Sequence, residues 1–155
     1  TSIGNRTVSI PLSPGLSEND LDRIVDKGSD GYVTMAKMKK ASILIEKGRI
    51  DEGLEIYKDL EKNAVDQSFR DIATILYVLN SLNNESKDDL LKKIIPLENS
   101  EIWKSSALEL KGYIYLRNNE IDKAIETFET ISKLPSKPGD LSQRAKNLIN
   151  LLKEK

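Results

Sequence analysis

The chain has 155 residues, long enough for one domain with a real core, and its 38% hydrophobic content fits a globular protein rather than a disordered one. Its 24 Lys+Arg nearly cancel 25 Asp+Glu, and the net charge of -1 gives no electrostatic case for nucleic acid or an anionic membrane. Histidine and cysteine are both absent, which excludes a Cys/His zinc site, a thiol nucleophile, a disulfide and a histidine general base, and suits either redox compartment.

Residues 1–16 carry Gly4, Pro11, Pro14 and Gly15 with little helical periodicity, and read as an extended arm or disordered linker. Residues 7–12 are strand-like but have no second strand to pair with. The start at Thr1 rather than Met fits two histories: a fragment whose upstream anchor or signal has been removed, or ordinary processing. No apolar run approaches the roughly 18–20 residues of a membrane span, and no signal peptide is visible.

From residue 17 to 155 one helical domain is expected. Ser17 and Asp20 have capping-box spacing, Leu21, Ile24 and Val25 form a stripe, and Gly28 stops it. Asp30 is placed to cap a second helix to about Lys47, with Met35, Met38, Ala41, Leu44 and Ile45 apolar, and Gly48 turns the chain. Ile50–Asn63 follows, with Leu54, Tyr57 and Leu60 at helical spacing. Asp66 is the cap of a helix through Phe69, Ile72, Ala73, Leu76, Val78 and Leu79, broken at Asn83-Asn84. Ser86 and Asp89 repeat the capping spacing before a short helix, 90–95, closed by Pro96. Asn99 or Ser100 caps a helix through Trp103, Ala107, Leu110, Ile114 and Tyr115. Asn118-Asn119 makes the next turn, helix 121–134 ends at Pro135 and Pro138, and the last helix covers about 139–153, with Leu141, Ala145, Leu148, Ile149 and Leu152 inward. These are about eight helices, each too short to be stable alone in water.

The chain resembles itself. Residues 40–57 align with 111–128, about two 34-residue periods plus a few residues apart. Small residues match (Ala41 and Gly112; Gly53 and Ala124), as do turn residues (Gly48 and Asn119), an Ile-Asp step, and an aromatic (Tyr57 and Phe128). Leu108, Gly112, Tyr115, Ala124 and Phe128, with Pro135 near the close, resemble the tetratricopeptide pattern. That resemblance implies a right-handed stack of helical hairpins whose paired helices touch at small residues, the aromatic filling the space toward the next hairpin. The match covers most of 34–136: two good repeats and a degenerate one between them.

At the next level, Gly31-Tyr32 with Ala36 and Ala41, then Trp103-Lys104-Ser105-Ser106-Ala107-Leu108-Glu109-Leu110-Lys111-Gly112, then a terminal Gln143-Arg144-Ala145 helix, are similar to the bacterial ancillary translocon subunit family over roughly 31–152. This resemblance implies an amino-terminal membrane anchor, absent from this chain, and a periplasmic domain on the inner membrane near the Sec translocon and periplasmic chaperones. The other reading is a cytoplasmic tetratricopeptide adaptor or oligomerisation module.

Residues 26–31 faintly resemble a calcium loop, but Gly28 and Lys37 stand where oxygen ligands belong; a helix stop and cap explain them. Thr1 acts as an amino-terminal nucleophile only in a different fold. No phosphate loop, nucleophile elbow or paired-carboxylate signature appears, so no enzyme, no cofactor and no metal is expected. On the tetratricopeptide template the concave face holds Met35, Met38, Ser42, Ile45 and Glu46 in the first copy and Ser106, Glu109, Tyr113, Leu116 and Arg117 in the last. Met35, Met38, Tyr113, Leu116 and Arg117 are therefore the candidate protein-binding residues, with adaptable methionines among them. The competing reading, favoured for Met38 and Ile45, is that further helices pack there. A carboxylate clamp of Lys, Arg and Asn is missing: Met38, Ser42, Glu109 and Tyr113 stand in its places, which argues against a chaperone-tail receptor. Trp103, near a helix start, is expected to pack under the Pro96 turn.

Overall fold

A computed structural model describes residues 15–135 and 139–154. The strand-like stretch 7–12, Pro138 and nearly all of the 1–16 arm lie outside them. Among the described residues the chain is all-helical: α1 Glu18–Lys27, α2 Asp30–Glu46, α3 Ile50–Asn63, α4 Gln67–Ser81, α5 Lys87–Ile94, a 3-10 turn Ile95–Asn99, α6 Lys104–Arg117, α7 Ile121–Ser132 and α8 Gly139–Lys153. None of these helices is long and apolar enough to cross a membrane. The packing divides into two compact units, Thr1–Tyr77 and Val78–Lys155, with the boundary inside α4.

In the first unit, α1 starts as its sequence dictates. The Ser17 hydroxyl accepts from the Asp20 amide at 3.2 Å, and the Asp20 carboxylate accepts from the Ser17 amide at 3.1 Å, a closed capping box. The Ser17 amide first, and then the Ser17 hydroxyl donating to the same carboxylate at 2.8 Å, hold the Asp20 carboxyl below its ordinary range. Leu16, assigned to the arm on sequence, is buried with Leu21 and Ala36, and Ile24, Val25 and Ile43 pack around them. Asp30 does not cap α2: Ser29 is the capping residue, without a side-chain hydrogen bond, and Asp30 is the first helical residue. Its carboxylate there complements the helix dipole instead.

The α2–α3 hairpin closes tightly. Gly48 has φ +81, and its amide and that of Arg49 bond back to Ile45 O (2.9 Å) and Leu44 O (2.8 Å), which satisfies the last carbonyls of α2. At the crossing, a Cβ on Gly53 would lie 2.8 Å from the Ala41 carbonyl oxygen and 2.6 Å from an Ile45 methylene. Leu54, Tyr57 and Leu60 supply the buried face of α3. The Asp66 carboxylate accepts from the Phe69 amide at 3.0 Å and so starts α4 as expected. On α4, Tyr77, not among the apolar positions named from the sequence, is 2% exposed, and Leu79, which is among them, is 48% exposed.

The second unit repeats this plan. The Ser86 hydroxyl accepts from the Asp89 amide at 3.2 Å to start α5. The α-helix closes at Ile94, just before Pro96, as expected, and the path continues as the 3-10 turn, where Pro96 sits at the first positions and a missing N–H costs nothing. The Ser100 hydroxyl accepts from the Trp103 amide at 3.1 Å, one turn before α6 begins at Lys104. Asn119 turns the chain between α6 and α7 with φ +58, and the amides of Asn119 and Glu120 bond to Leu116 O (3.0 Å) and Tyr115 O (2.9 Å). Both bonds match their counterparts around Gly48. A Cβ on Gly112 would sit 2.5 Å from the Phe128 ring. Leu108, Ala124, Phe128 and Ile131 form one core with Leu141, Ala145 and Ile149 of α8.

Candidate protein-interaction surface

The candidate binding residues fall on two helices, α2 of the first unit and α6 of the second. On α2, Met35, Met38, Ser42 and Ile45 are half-buried and Glu46 is exposed. The Ser42 hydroxyl bonds to the Glu46 carboxylate at 3.3 Å, one turn on. The methionines are neither sealed in the core nor fully solvated, the exposure at which a flexible thioether adapts to a contact.

On α6 the corresponding face is already in use. Tyr113 meets Phe128 edge to face, ring centroids 5.8 Å apart, and both Tyr113 and Leu116 pack against the core shared by α6, α7 and α8. Glu109 holds α8 through a forked pair with Arg144, at 3.0 Å to Nε and 3.1 Å to Nη2, and accepts from the Tyr113 hydroxyl at 3.3 Å. Burial and the adjacent Glu109 charge push the Tyr113 phenol up, and the Glu109 contact raises the Arg144 guanidinium. Arg117 is exposed, but its guanidinium donates to the backbone carbonyls of Glu85 (2.9 Å) and Asn83 (3.1 Å) and ties the α4–α5 turn to the end of α6. Tyr113, Leu116 and Arg117 therefore all make contacts within the second unit. Trp103 is half-buried, with its indole nitrogen buried and unbonded among the described residues.

Sequence reasoning did not find a shallow cleft of about 290 Å³ in the first unit. Val25 of α1 and Ile56 of α3 are its apolar lining, and its charged rim is paired: Lys37 with Asp59 at 2.8 Å and Lys40 with Asp22 at 2.5 Å. The Lys37 hydrogen bond, followed by that of Asn63, holds the Asp59 carboxyl below its usual value. The only signal was indirect: Asp22, Lys37, Lys40 and Asp59 are polar residues on helices whose other faces are apolar.

The side chains offer apolar patches, ion pairs and adaptable methionines, which suit binding more than bond-making. Among the described residues no group of three or more His, Cys, Asp or Glu is placed to hold a metal ion. The sequence model of the tetratricopeptide repeat-like domain matches residues 16–144. No curated protein and no solved structure matches the chain significantly.

Proposed function

Because the chain belongs to the tetratricopeptide repeat-like domain family, we propose that it is a scaffold for other polypeptides, working as the extracytoplasmic part of a membrane-anchored protein beside the Sec translocon and periplasmic chaperones. The observation that carries the scaffold reading is the family match over residues 16–144, joined to two helical hairpins that share two closing backbone bonds. Domains of this kind are typically scaffolds rather than enzymes. The placement beside the translocon is supported by the resemblance of Gly31-Tyr32, of residues 103–112 and of Gln143-Arg144-Ala145 to the ancillary subunit family, an analogy of sequence and not of site. The half-buried Met35 and Met38 are the surface favoured for contact, since Tyr113 and Leu116 on the equivalent helix α6 pack against the core shared with α7 and α8.

The test is site-specific photo-crosslinking of the full-length protein in its own cell envelope, with the probe at Met35 or Met38. Adducts with translocon subunits or periplasmic chaperones, and a segment of about 20 apolar residues before Thr1 in the intact gene, are expected. Adducts with cytoplasmic proteins alone would replace this reading with the adaptor one. If partners are captured only from probes elsewhere, the α2 face is not the binding surface.

A further inference from the structure

The two units are built on the same first helix as well as the same hairpin. Ser17, Asp20 and Leu21 of α1 correspond to Ser86, Asp89 and Leu90 of α5: a serine cap, the acidic residue three places on, and a leucine buried to 0% in both. Each first helix docks near its own hairpin turn through a charged pair at the same two positions. Glu18 of α1 meets Arg49 at 3.2 Å, and Lys87 of α5 meets Glu120 at 2.7 Å. Arg49 also pairs with Glu52 at 2.7 Å, and Glu120 pairs with Lys123. The geometry is common to both units, but every charge in it is reversed. Lys47, at 3.3 Å from Glu18, reinforces the first cluster.

We propose that this reversed polarity is a pairing code that commits each first helix to its own hairpin during folding. A chain with two equivalent units has an error open to it: α1 docking on the α6–α7 turn and α5 docking on the α2–α3 turn. Although α5 also buries Ile94 where α1 buries Leu21 alone, the cap, the buried leucine and the backbone of the two turns are the same, so these shared features do not discriminate between correct and exchanged docking. Charge does. In the exchanged arrangement Glu18 would face Glu120, and Lys87 would face Lys47 and Arg49. Opposed like charges penalise the wrong pairing just as the native pairs favour the right one. The remaining charge on α1 does not undo this. Asp22 pairs with Lys40, but the equivalent lysine of the second unit, Lys111, is already held by Glu98 at 2.8 Å.

The experiment uses the full chain and four forms of it. One inverts the first cluster (Glu18→Lys, Lys47→Glu, Arg49→Glu, Glu52→Lys), one inverts the second (Lys87→Glu, Glu120→Lys, Lys123→Glu), one inverts both, and the fourth is the parent. Each inversion preserves the attraction within its own unit, so the native pairing contacts are kept, and urea unfolding of each form corrects for the helix-dipole cost of Lys at positions 18 and 52. Either single inversion makes the exchanged docking attractive, whereas the double inversion makes it repulsive again. On dilution from urea at low ionic strength, either single inversion is expected to raise the fraction eluting away from the native position by about threefold or more, the scale of one exposed charge pair. The parent and the double inversion should refold alike, and about 1 M salt should erase the difference. Failure of both single inversions to fold while the double inversion folds is the same result in stronger form. Equal refolding by all four chains overturns the proposal, and so does a double inversion that refolds as badly as the single ones.

Discussion

The α2–α3 and α6–α7 hairpins make the same turn and solve the same crossing in opposite ways. In the first, the glycine is on the second helix: Gly53 lets α3 approach the backbone of α2 at the Ala41 carbonyl. In the second, the glycine is on the first helix: Gly112 leaves room for the Phe128 ring, while Ala124 is the small residue of α7. One crossing is limited by backbone, the other by an aromatic side chain. A repeat pattern that asks only for "small" at two positions is thus met by two packings, and each should respond differently to the same substitution.

The largest effect is expected at Phe128. It is 0% exposed, and Gly112 has no side chain to fill the space the ring would leave. Phe128→Ala should cost about 3–5 kcal/mol in urea unfolding. A loss below about 1 kcal/mol would mean that the ring is not the centre of the second core.

Next come the glycines. Gly53→Ala and Gly112→Ala should each destabilise by roughly 1–3 kcal/mol through overpacking. They should part company in double-mutant cycles. Phe128→Leu should relieve part of the Gly112→Ala clash, because the obstacle is the ring itself. Ile45→Val should give little relief to Gly53→Ala, because the Ala41 carbonyl remains 2.8 Å from the added carbon. Equal coupling in the two cycles would erase the distinction between the crossings.

The turns offer a finer comparison. Gly48 and Asn119 share the left-handed backbone, at φ +81 and +58. Gly48→Ala should cost about 1 kcal/mol, since a Cβ is disfavoured there. Asn119→Gly should stay within about 0.5 kcal/mol of the parent, because asparagine tolerates that region but does not prefer it over glycine. Thermal midpoints of the two variants decide this.

The smallest effect expected is on acid stability in the first unit. The folded-state carboxyl of Asp59 lies below its ordinary 3.8, chiefly through the Lys37 hydrogen bond. Its contribution is therefore present above the unfolded value and is lost as pH falls through the lower, folded one. Asp59→Asn should flatten the decline in stability below pH 3.8, and only slightly, because the pair is partly exposed and screened. An unchanged acid-unfolding curve would remove Lys37–Asp59 from the interactions that secure the rim of the cleft.

Much of this was legible in local chemistry. Ser17 with Asp20, Asp66 and Ser86 cap the helices they were expected to cap, since a cap is decided within four residues. The Gly48 and Asn119 turns were legible for the same reason. The candidate surface was less so. Tyr113, Leu116 and Arg117 occupy the right register positions, but whether a face is open depends on what else folds against it. Nothing within α6 announces that Glu109 will grip Arg144, 35 residues away. Leu79 was named among the apolar positions of α4 and Tyr77 was not, yet the fold buries Tyr77 and leaves Leu79 exposed.

By itself, then, the sequence determined the helices, several of their caps, the register of the two hairpins and the class of protein, because these depend on periodicity, caps and turn residues read over short distances. Only the tertiary structure decided which small residue meets a backbone and which meets a ring, that Leu16 joins a core, that Tyr113 and Leu116 of α6 pack against the core shared with α7 and α8, and that the same docking contact carries opposite charge in the two units. Those are relations between residues far apart in the chain, and their energies come from packing and charge at distances that spacing along a sequence does not encode.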